Sequence, residues 1–270
     1  MLSPFEQAIL LGILHGLTDF LPVSSDGHLA LAEMLLEGEG GGLTHRLLLY
    51  TGSLLATLLY LRQRIAQVSI DLWQHIARGR LPEPSAPSWD AVLVAIAAVP
   101  TGLCGLALHD TMARWSAQPL AIGFGFIITA LLLTSTLWTR SGAVSSPSLW
   151  AAVMLGLAQG LAFAPGLSRS GLTIVAALWL GVRAERAFEL SMLMSIPALA
   201  GAVLLELTLG EPMPAHVAPL ICGGVAALLV GLLALGLLRR AVLRGHMAWF
   251  ALWLLPVALA TLALAKAWPS

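Results

Sequence analysis

Residues 14–28 read LHGLTDFLPVSSDGH and interrupt an apolar stretch that runs from about residue 5 to residue 36. Polar groups that cannot reach water are costly unless a partner compensates them. The break is centred on PVSSDGH at 22–28 and leaves an apolar piece on each side that is too short to cross a bilayer. The segment is therefore either a functional site or an ordinary surface loop.

A second apolar stretch, at 149–181, is broken in the same way by PGLSRSG at 165–171. Irregular backbone at membrane depth is tolerated only where it is buried in protein or lines a wet cavity. We therefore predict that each broken stretch forms a re-entrant helical hairpin. The remaining long uncharged stretches predict transmembrane helices at about 43–61, 90–109, 118–138, 187–207, 218–238 and 247–266.

The composition and an internal repeat define the predicted fold class. Hydrophobic residues make up 58% of the chain and charged residues only 10%, against about 25% charged in a typical soluble domain. At one constant offset, Gly16, Leu17, Ser24 and Gly27 recur as Gly160, Leu161, Ser168 and Gly171. We predict an all-α integral membrane protein that forms a single polytopic domain over 1–270. It would be an inverted repeat, about 1–140 and about 145–270, with a re-entrant hairpin and three transmembrane helices in each half.

The charge distribution predicts the topology. The 14 Lys and Arg residues balance the 14 Asp and Glu residues, so net charge gives no argument for a nucleic-acid partner. Positive residues concentrate on the cytoplasmic side of membrane proteins. We place both termini outside, because the segments that are then cytoplasmic hold most of the basic residues: Arg62, Arg64, Arg78, Arg80, Arg140, Arg183, Arg186, Arg239, Arg240 and Arg244.

The two hairpin tips carry an anion-binding pattern. SSDGH and SRSG each lead into a new helix, whose free N–H groups and positive dipole end favour an anion. Arg169 is at membrane depth with no nearby acidic residue in sequence, so its partner should be Asp19 or a bound ligand. We predict that substrate binding also involves the small polar and glycine residues of both tips: Ser24, Asp26, Gly27, Ser168, Ser170 and Gly171.

Other polar residues of the first hairpin suggest chemistry as well as binding. His15 and Asp19 lie four residues apart on one predicted helix face, and imidazole with carboxylate suits a divalent metal or an acid–base pair. Asp26 and His28 follow at the tip, and the neighbouring serines could act as nucleophiles. Purely structural alternatives remain open: a serine that caps the second helix, a plain turn at Asp26, and a packing role for His15.

The polar residues outside the two tips give weaker signals. We interpret Asp71 and Glu189 as solvated or interfacial, and we expect the two cysteines, Cys104 and Cys222, to act as small apolar residues in their apolar surroundings. The N-terminus, with Ser3 as cap and Pro4 as first helical residue, is typical of a helix start rather than of a signal peptide.

These residues resemble a known family, the undecaprenyl-diphosphate phosphatases, also called bacitracin-resistance proteins. HGLTDFLPVSSDGH at 15–28 is similar to the family motif E-G-L-T-E-F-L-P-[VI]-S-S-T-G-H, and PGLSRSG at 165–171 to P-G-x-S-R-S-G. LSMLMSIPALAGAVLLEL at 190–207 and TGSLLATLLYLRQRI at 51–65 resemble two further family segments. The resemblance covers nearly the whole chain.

The resemblance implies a hydrolase of the bacterial cytoplasmic (inner) membrane. Such an enzyme removes one phosphate from the C55 isoprenyl diphosphate at the outer face and so recycles the cell-wall carrier lipid, with the help of a divalent cation such as Mg²⁺ or Ca²⁺. By position, the motif serine is Ser25 beside Ser24, the motif histidine is His28 and the phosphate-binding arginine is Arg169. We expect Ser25 to attack the terminal phosphorus, Asp19 to orient the metal or the nucleophile, and His28 to shuttle the proton. The implied partners are the polyprenyl phosphate or diphosphate lipid and the membrane, with a homodimer as an open alternative.

The first motif also departs from the family pattern. His15 and Asp19 stand at the two motif glutamates, Asp26 at the threonine, and Tyr50 at a glutamine of the next segment. We expect either that His15, Asp19 and Asp26 form a metal site of different geometry, or that diphosphatase activity is lost and lipid-anion transport or flipping is retained. A purely structural membrane protein is the third alternative, and it would leave Arg169 without a role.

Overall fold

The computed structural model describes residues 3–35, 43–139, 142–209 and 217–267. Over these ranges the chain is helical apart from turns and one isolated bridge between Val144 and Val182. The α-helices are α1 (Pro4–Phe20), α2 (Ser25–Leu35), α3 (Leu43–Tyr60), α4 (Arg62–Ala77), α5 (Trp89–Ser116), α6 (Pro119–Ser135), α7 (Leu149–Leu161), α8 (Arg169–Trp179), α9 (Ala184–Leu209), α10 (Ala218–Leu243) and α11 (Ala251–Ala267). Short 3₁₀ turns follow α6 and precede α11.

Five stretches of helix in the described ranges are long and apolar enough to cross a membrane: Trp89–Leu108, Pro119–Trp138, Ala184–Thr208, Ala218–Leu243 and Met247–Ala265. The chain is therefore a multi-pass, all-helical membrane protein, as its composition predicted. The sixth predicted span, at 43–61, corresponds to α3, whose described apolar part, Arg46–Tyr60, is shorter than the other five.

Both predicted hairpins are present as pairs of short helices. The helix is interrupted between α1 and α2 at residues 21–24, and between α7 and α8 at residues 162–168. At the start of α1, Ser3 and Glu6 form the reciprocal hydrogen bonds of a capping box, and Pro4 occupies the first helical position. The predicted helix start is thus confirmed.

Small residues allow each hairpin to pack closely against a long helix of the other half. On α1, a Cβ added to Gly12 would lie only 2.2 Å from the Gly223 carbonyl oxygen of α10. A Cβ added to Gly16 would lie 2.5 Å from the Ala227 carbonyl oxygen of the same helix. In the same way, a Cβ on Gly156 of α7 would lie 2.3 Å from the Ala97 carbonyl oxygen of α5. Close backbone approach at small residues is how membrane helices gain packing contacts.

The helix pairings relate the two halves of the chain. The first hairpin packs on α10 and the second on α5, while α3 contacts α9 and α6 contacts α11. In the predicted repeat, α1 corresponds to α7 and α5 corresponds to α10. The contact of α1 with α10 therefore corresponds to the contact of α7 with α5, as a two-fold axis requires. The inverted repeat itself, with its boundaries near residues 140 and 145, stays a prediction.

The segment after residue 61 differs from expectation. No helix is predicted between the spans at 43–61 and 90–109, but residues 62–77 form the helix α4, and only 78–88 are irregular. The hydropathy of this segment is too low for a span, so a search for membrane-length apolar runs does not detect it. Arg140 and both chain termini lie outside the described residues.

Candidate active site

The first hairpin tip is a tight turn that Ser24 closes. Ser24 has φ of 70°, a backbone conformation that residues other than glycine rarely adopt. Its Oγ accepts a hydrogen bond from the Gly27 N–H at 3.3 Å, so Ser24 caps α2. Ser25, the first residue of α2, is half-buried. The two adjacent serines therefore have different tasks, one closing the turn and the other facing the site.

The second tip is built on the same principle and is fixed by α6. Ser168 caps α8, because its Oγ accepts from the Gly171 N–H at 3.1 Å. Thr129 of α6 accepts from the Ser168 N–H at 3.2 Å and donates to the Gly166 carbonyl at 2.9 Å. Gly166 has φ of +82°, and a Cβ there would lie 2.3 Å from the Ile122 carbonyl oxygen, so only glycine fits this bend.

The two tips meet directly. A Cβ on Gly27 would lie 3.0 Å from the Gly166 Cα, and one on Gly171 would lie 3.3 Å from the Pro22 Cβ. The start of α2 therefore contacts the turn before α8, and the start of α8 contacts the turn before α2, so the N-terminal ends of the two helices, with their free N–H groups and positive dipole ends, lie near one another. Such a junction favours a bound anion.

The Asp19 carboxylate contacts polar side chains of both hairpins. Arg169 Nη2 donates to Asp19 Oδ1 at 3.0 Å, and Ser25 Oγ lies 3.4 Å from the same oxygen. The Asp19 side chain is 6% exposed and that of Arg169 is 17% exposed, so the ion pair is largely buried. Asp19 is one of the two alternative partners that the sequence predicted for Arg169.

Behind this pair lies a group of buried polar atoms without hydrogen-bond partners among the described residues. They are both ring nitrogens of His15, Asp19 Oδ2 and Ser53 Oγ. His15 and Ser53 are fully buried, and the His15 ring lies edge-on to that of Tyr50 with their centroids 5.3 Å apart. Buried groups of this kind normally bind a water molecule or a ligand.

The third residue predicted to bind metal, Asp26, is placed differently. Its side chain is exposed at the start of α2, where its Oδ1 accepts a hydrogen bond from the Tyr50 hydroxyl at 3.2 Å. Across the described part of the chain, no three His, Cys, Asp or Glu side chains are grouped so that they could hold a metal ion. The structure thus brings His15 and Asp19 together on α1, while Asp26 pairs with α3.

His28 is held in place through both nitrogens of its ring. Nδ1 lies 2.8 Å from the Ser24 carbonyl oxygen, and Nε2 accepts the indole N–H of Trp253 at 3.1 Å. Phe126 packs edge-on with a centroid distance of 5.0 Å. In this conformation neither nitrogen is available to Ser25, so the predicted acid–base role of His28 requires release of one partner.

The other residues predicted to bind substrate lie inside the two hairpin tips or form the contact between them. Ser168 and Ser170 are buried with their hydroxyl oxygens 3.3 Å apart, and Gly27 and Gly171 form the contact between the hairpins. Sequence reasoning missed Ser53 and Trp253. Ser53 lies one helical turn after Tyr50, a signal that could have been used, whereas nothing in the sequence connects Trp253 with His28.

Comparison with known proteins places these features in one family. The family described as bacitracin resistance protein BacA matches residues 8–260. An undecaprenyl-diphosphatase of Treponema denticola is 36% identical over 256 residues, covering 94% of this chain and 94% of that protein. Undecaprenyl-diphosphatases of Desulfatibacillum aliphaticivorans, 37% identical over 91% of this chain and 93% of that protein, and of Korarchaeum cryptofilum, 36% identical over 96% and 98%, are similar relatives.

Proposed function

We propose that this chain, which belongs to the bacitracin resistance protein BacA family, hydrolyses undecaprenyl diphosphate to the monophosphate. The observation that carries the proposal is the convergence of Ser25 and Arg169 on one oxygen of Asp19, where two helix N-termini meet. A hydroxyl, a fixed cation and a carboxylate are the parts that phosphoryl transfer to a serine requires.

Binding of the diphosphate would use Arg169 together with the N–H groups at the starts of α2 and α8. The guanidinium has a fixed fork of donors and keeps its charge, which suits phosphate oxygens. A phosphate oxygen that takes the place of Asp19 on Arg169 would release Asp19 Oδ1 from its ion pair. Substrate binding would thereby turn a paired carboxylate into a base beside Ser25.

The chemical steps follow from this exchange. Ser25 Oγ gives its proton to Asp19 and forms a bond to the terminal phosphorus, while the bond from that phosphorus to the bridging oxygen breaks. The lipid monophosphate leaves. Water then attacks the phosphoserine, the proton held by Asp19 returns to Ser25 Oγ, and hydrogen phosphate and one proton are released. Arg169 and the helix N-termini stabilise the charge that develops on the phosphoryl oxygens.

A divalent cation fits the unpartnered atoms behind the nucleophile. His15 and Asp19 Oδ2 would hold it with the Ser53 hydroxyl. Such an ion supplies positive charge that neutralises the phosphate. The pairing of Asp26 with Tyr50 favours a role for Asp26 at the rim of the site instead.

The cellular setting follows from the same proposal. A chain with five candidate spans that acts on this lipid would lie in the bacterial cytoplasmic membrane, with the site toward the outer face and both termini outside. The relevant partners are the polyprenyl phosphate lipid and the membrane. A homodimer stays a prediction.

The direct test is phosphate release from undecaprenyl diphosphate by the purified protein in detergent with Mg²⁺, Mn²⁺ or Ca²⁺. We expect wild-type protein to release phosphate, and Ser25→Ala to lower the rate by about a thousandfold or more, because the nucleophile is lost. Ser135→Ala, which removes a serine hydroxyl bonded to the Leu132 carbonyl at the end of α6, is the matched control and should hydrolyse normally.

Transport is the competing outcome of the same experiment. Two broken hairpins that meet in a membrane protein are also a transporter architecture. If wild-type protein and Ser25→Ala bind the lipid diphosphate equally, release no phosphate with any metal and move a polyprenyl phosphate across vesicles at the same rate, the hydrolase proposal is wrong.

A further inference from the structure

After its first residue, Arg62, helix α4 carries its charged side chains on the inside. Arg64, Asp71 and His75 are half-buried against the protein body, although a helix in water would turn such groups outward. The opposite face has no charged residue from 63 to 77. Its large apolar side chains, Ile70, Trp73 and Ile76, are 60%, 71% and 61% exposed, beside the uncharged Gln63, Gln67 and Gln74. The inner face also holds Ile65, Val68 and Leu72, so the helix differs from one in water in having its charges inside and three large apolar side chains outside.

Specific contacts fix this orientation. Arg64 donates through Nε and Nη2 to Asp90 Oδ2 at 3.0 Å and 2.6 Å, and Asp71 Oδ2 accepts the Ser88 N–H at 2.9 Å. Both partners lie at the start of α5, and Asp90 is buried. The apolar face cannot turn inward without breaking these bonds, so its exposure is a property of the fold.

The position of α4 along the chain shows what this face meets. It follows the apolar helix α3 after a single residue and leads through 78–88 into α5, whose first residues already belong to a candidate span. At 16 residues it is not itself among the candidate spans. A helix tied at both ends to membrane helices, with an exposed apolar face, is of the kind that lies in the membrane interface.

Exposed arginines lie at both ends of the apolar face. Arg62, Arg78 and Arg80 are exposed at the two ends of α4. Arg62 also lines a cavity of about 340 Å³ at the α3–α4 corner whose walls include Leu59 and Leu232. Exposed guanidinium groups beside apolar walls fit a lipid that has an anionic headgroup and an acyl chain.

We propose that α4 lies flat in the headgroup region of one leaflet, the cytoplasmic one in the predicted topology. Ile70, Trp73 and Ile76 insert among the acyl chains, and the arginines at both ends of the helix bind anionic phospholipid headgroups. The proposal does not depend on hydrolase activity.

Spin labels on single cysteines test the depth of the helix. In a background with Cys104→Ala and Cys222→Ala, labels are placed by Trp73→Cys, by Ser85→Cys in the exposed loop after α4, and by Leu229→Cys on the exposed middle of α10. Collision rates with oxygen, which partitions into lipid, and with a water-soluble nickel chelate are measured in phosphatidylcholine vesicles with and without phosphatidylglycerol.

The label at position 73 should collide with the nickel chelate several-fold less often than the label at 85, and with oxygen nearly as often as the label at 229. Nickel collisions equal to those at 85 would overturn the proposal. Low collision rates with both reagents would overturn it too, because they would indicate a protein partner such as a second copy.

The headgroup half of the proposal has its own test. Phosphatidylglycerol should reduce the nickel collisions at position 73, and the triple variant Arg62→Gln, Arg78→Gln, Arg80→Gln should lose this dependence while its unfolding temperature stays unchanged. If phosphatidylglycerol has the same effect on the triple variant, the arginines do not bind the headgroups and this half is wrong.

Discussion

Trp253 donates its indole N–H to His28 Nε2 at 3.1 Å and thereby ties α11 to the first turn of α2. An imidazole whose Nε2 accepts a hydrogen bond carries its proton on Nδ1, and His28 Nδ1 lies 2.8 Å from the Ser24 carbonyl oxygen. The ring is therefore neutral, of one tautomer, and fixed in orientation. The residue that the sequence motif marks as catalytic depends on a tryptophan from the far end of the chain.

Trp253→Phe tests this dependence, because phenylalanine keeps an aromatic ring and removes only the N–H donor. We expect kcat for diphosphate hydrolysis to fall about fivefold, the effect of one hydrogen bond of about 1 kcal/mol, with little change in KM, because His28 would no longer fix the first turn of α2 that carries Ser25. Trp249→Phe is the control, since Trp249 stacks on His246 with a centroid distance of 4.7 Å. Equal rates for both variants and wild type would contradict a positioning role for Trp253.

Arg169→Gln separates the catalytic from the structural work of Arg169. Leaving the buried Asp19 carboxylate unpaired should cost on the order of 3 kcal/mol of unfolding free energy. Loss of the cation should also lower the hydrolysis rate by about a hundredfold or more. Thermal unfolding in detergent and phosphate release measure the two effects.

The double variant Asp19→Asn with Arg169→Gln decides between the two roles. It removes both charges, so stability should return close to that of wild type while hydrolysis stays lost. Recovery of hydrolysis along with stability would show that the ion pair only holds the hairpins together.

His15→Ala tests the cation proposal through binding rather than turnover. Removing the imidazole should weaken Mn²⁺ binding to the substrate-free protein by about tenfold or more. A residue that binds a metal, or that orients a residue binding it, contributes this much to the metal affinity. The loss of the free Mn²⁺ electron paramagnetic resonance signal on titration measures the affinity. His246→Ala, which removes a half-buried imidazole outside the site, should bind Mn²⁺ as wild type does.

The contrast between predicted and unpredicted features has a physical basis. The sequence predicted the hairpin breaks and named Asp19 as one of two possible partners of Arg169, because a polar or charged residue in an apolar stretch is rare and needs a partner. The N-terminal cap of α1 was predicted from Ser3, Pro4 and Glu6, whose spacing is typical of a helix start. It did not predict the contact of Trp253 with His28, since an exposed tryptophan near a membrane surface is ordinary and the contact joins residues far apart in sequence.

The orientation of α4 was missed for a related reason. Its exposed face is defined by the ion pair that Arg64 forms with Asp90, and neither residue is unusual in a segment between two membrane helices. The φ of 70° at Ser24 likewise has no local signal, because it follows from how the first tip meets the second. Features set by tertiary contacts are absent from a search based on composition and spacing.

Asp90→Asn should destabilise the protein more than the loss of an exposed ion pair at the same predicted cytoplasmic end. Asp90 is 1% exposed and accepts hydrogen bonds from both Arg64 and Arg186, so the amide would leave Arg64 without its anion and Arg186 with Glu189 alone. Loss of one partner of a buried ion pair costs about 3 to 5 kcal/mol.

The matched control is the ion pair of Glu185 with Arg239, whose side chains are 48% and 45% exposed. Glu185→Gln should change the unfolding free energy by less than about 1 kcal/mol, because water solvates the arginine that remains. Unfolding in detergent followed by circular dichroism compares the two variants. A similar loss of stability in both would mean that the arginines of Asp90 find water or other anions, and that α4, α5 and α9 are held together by apolar packing rather than by this carboxylate.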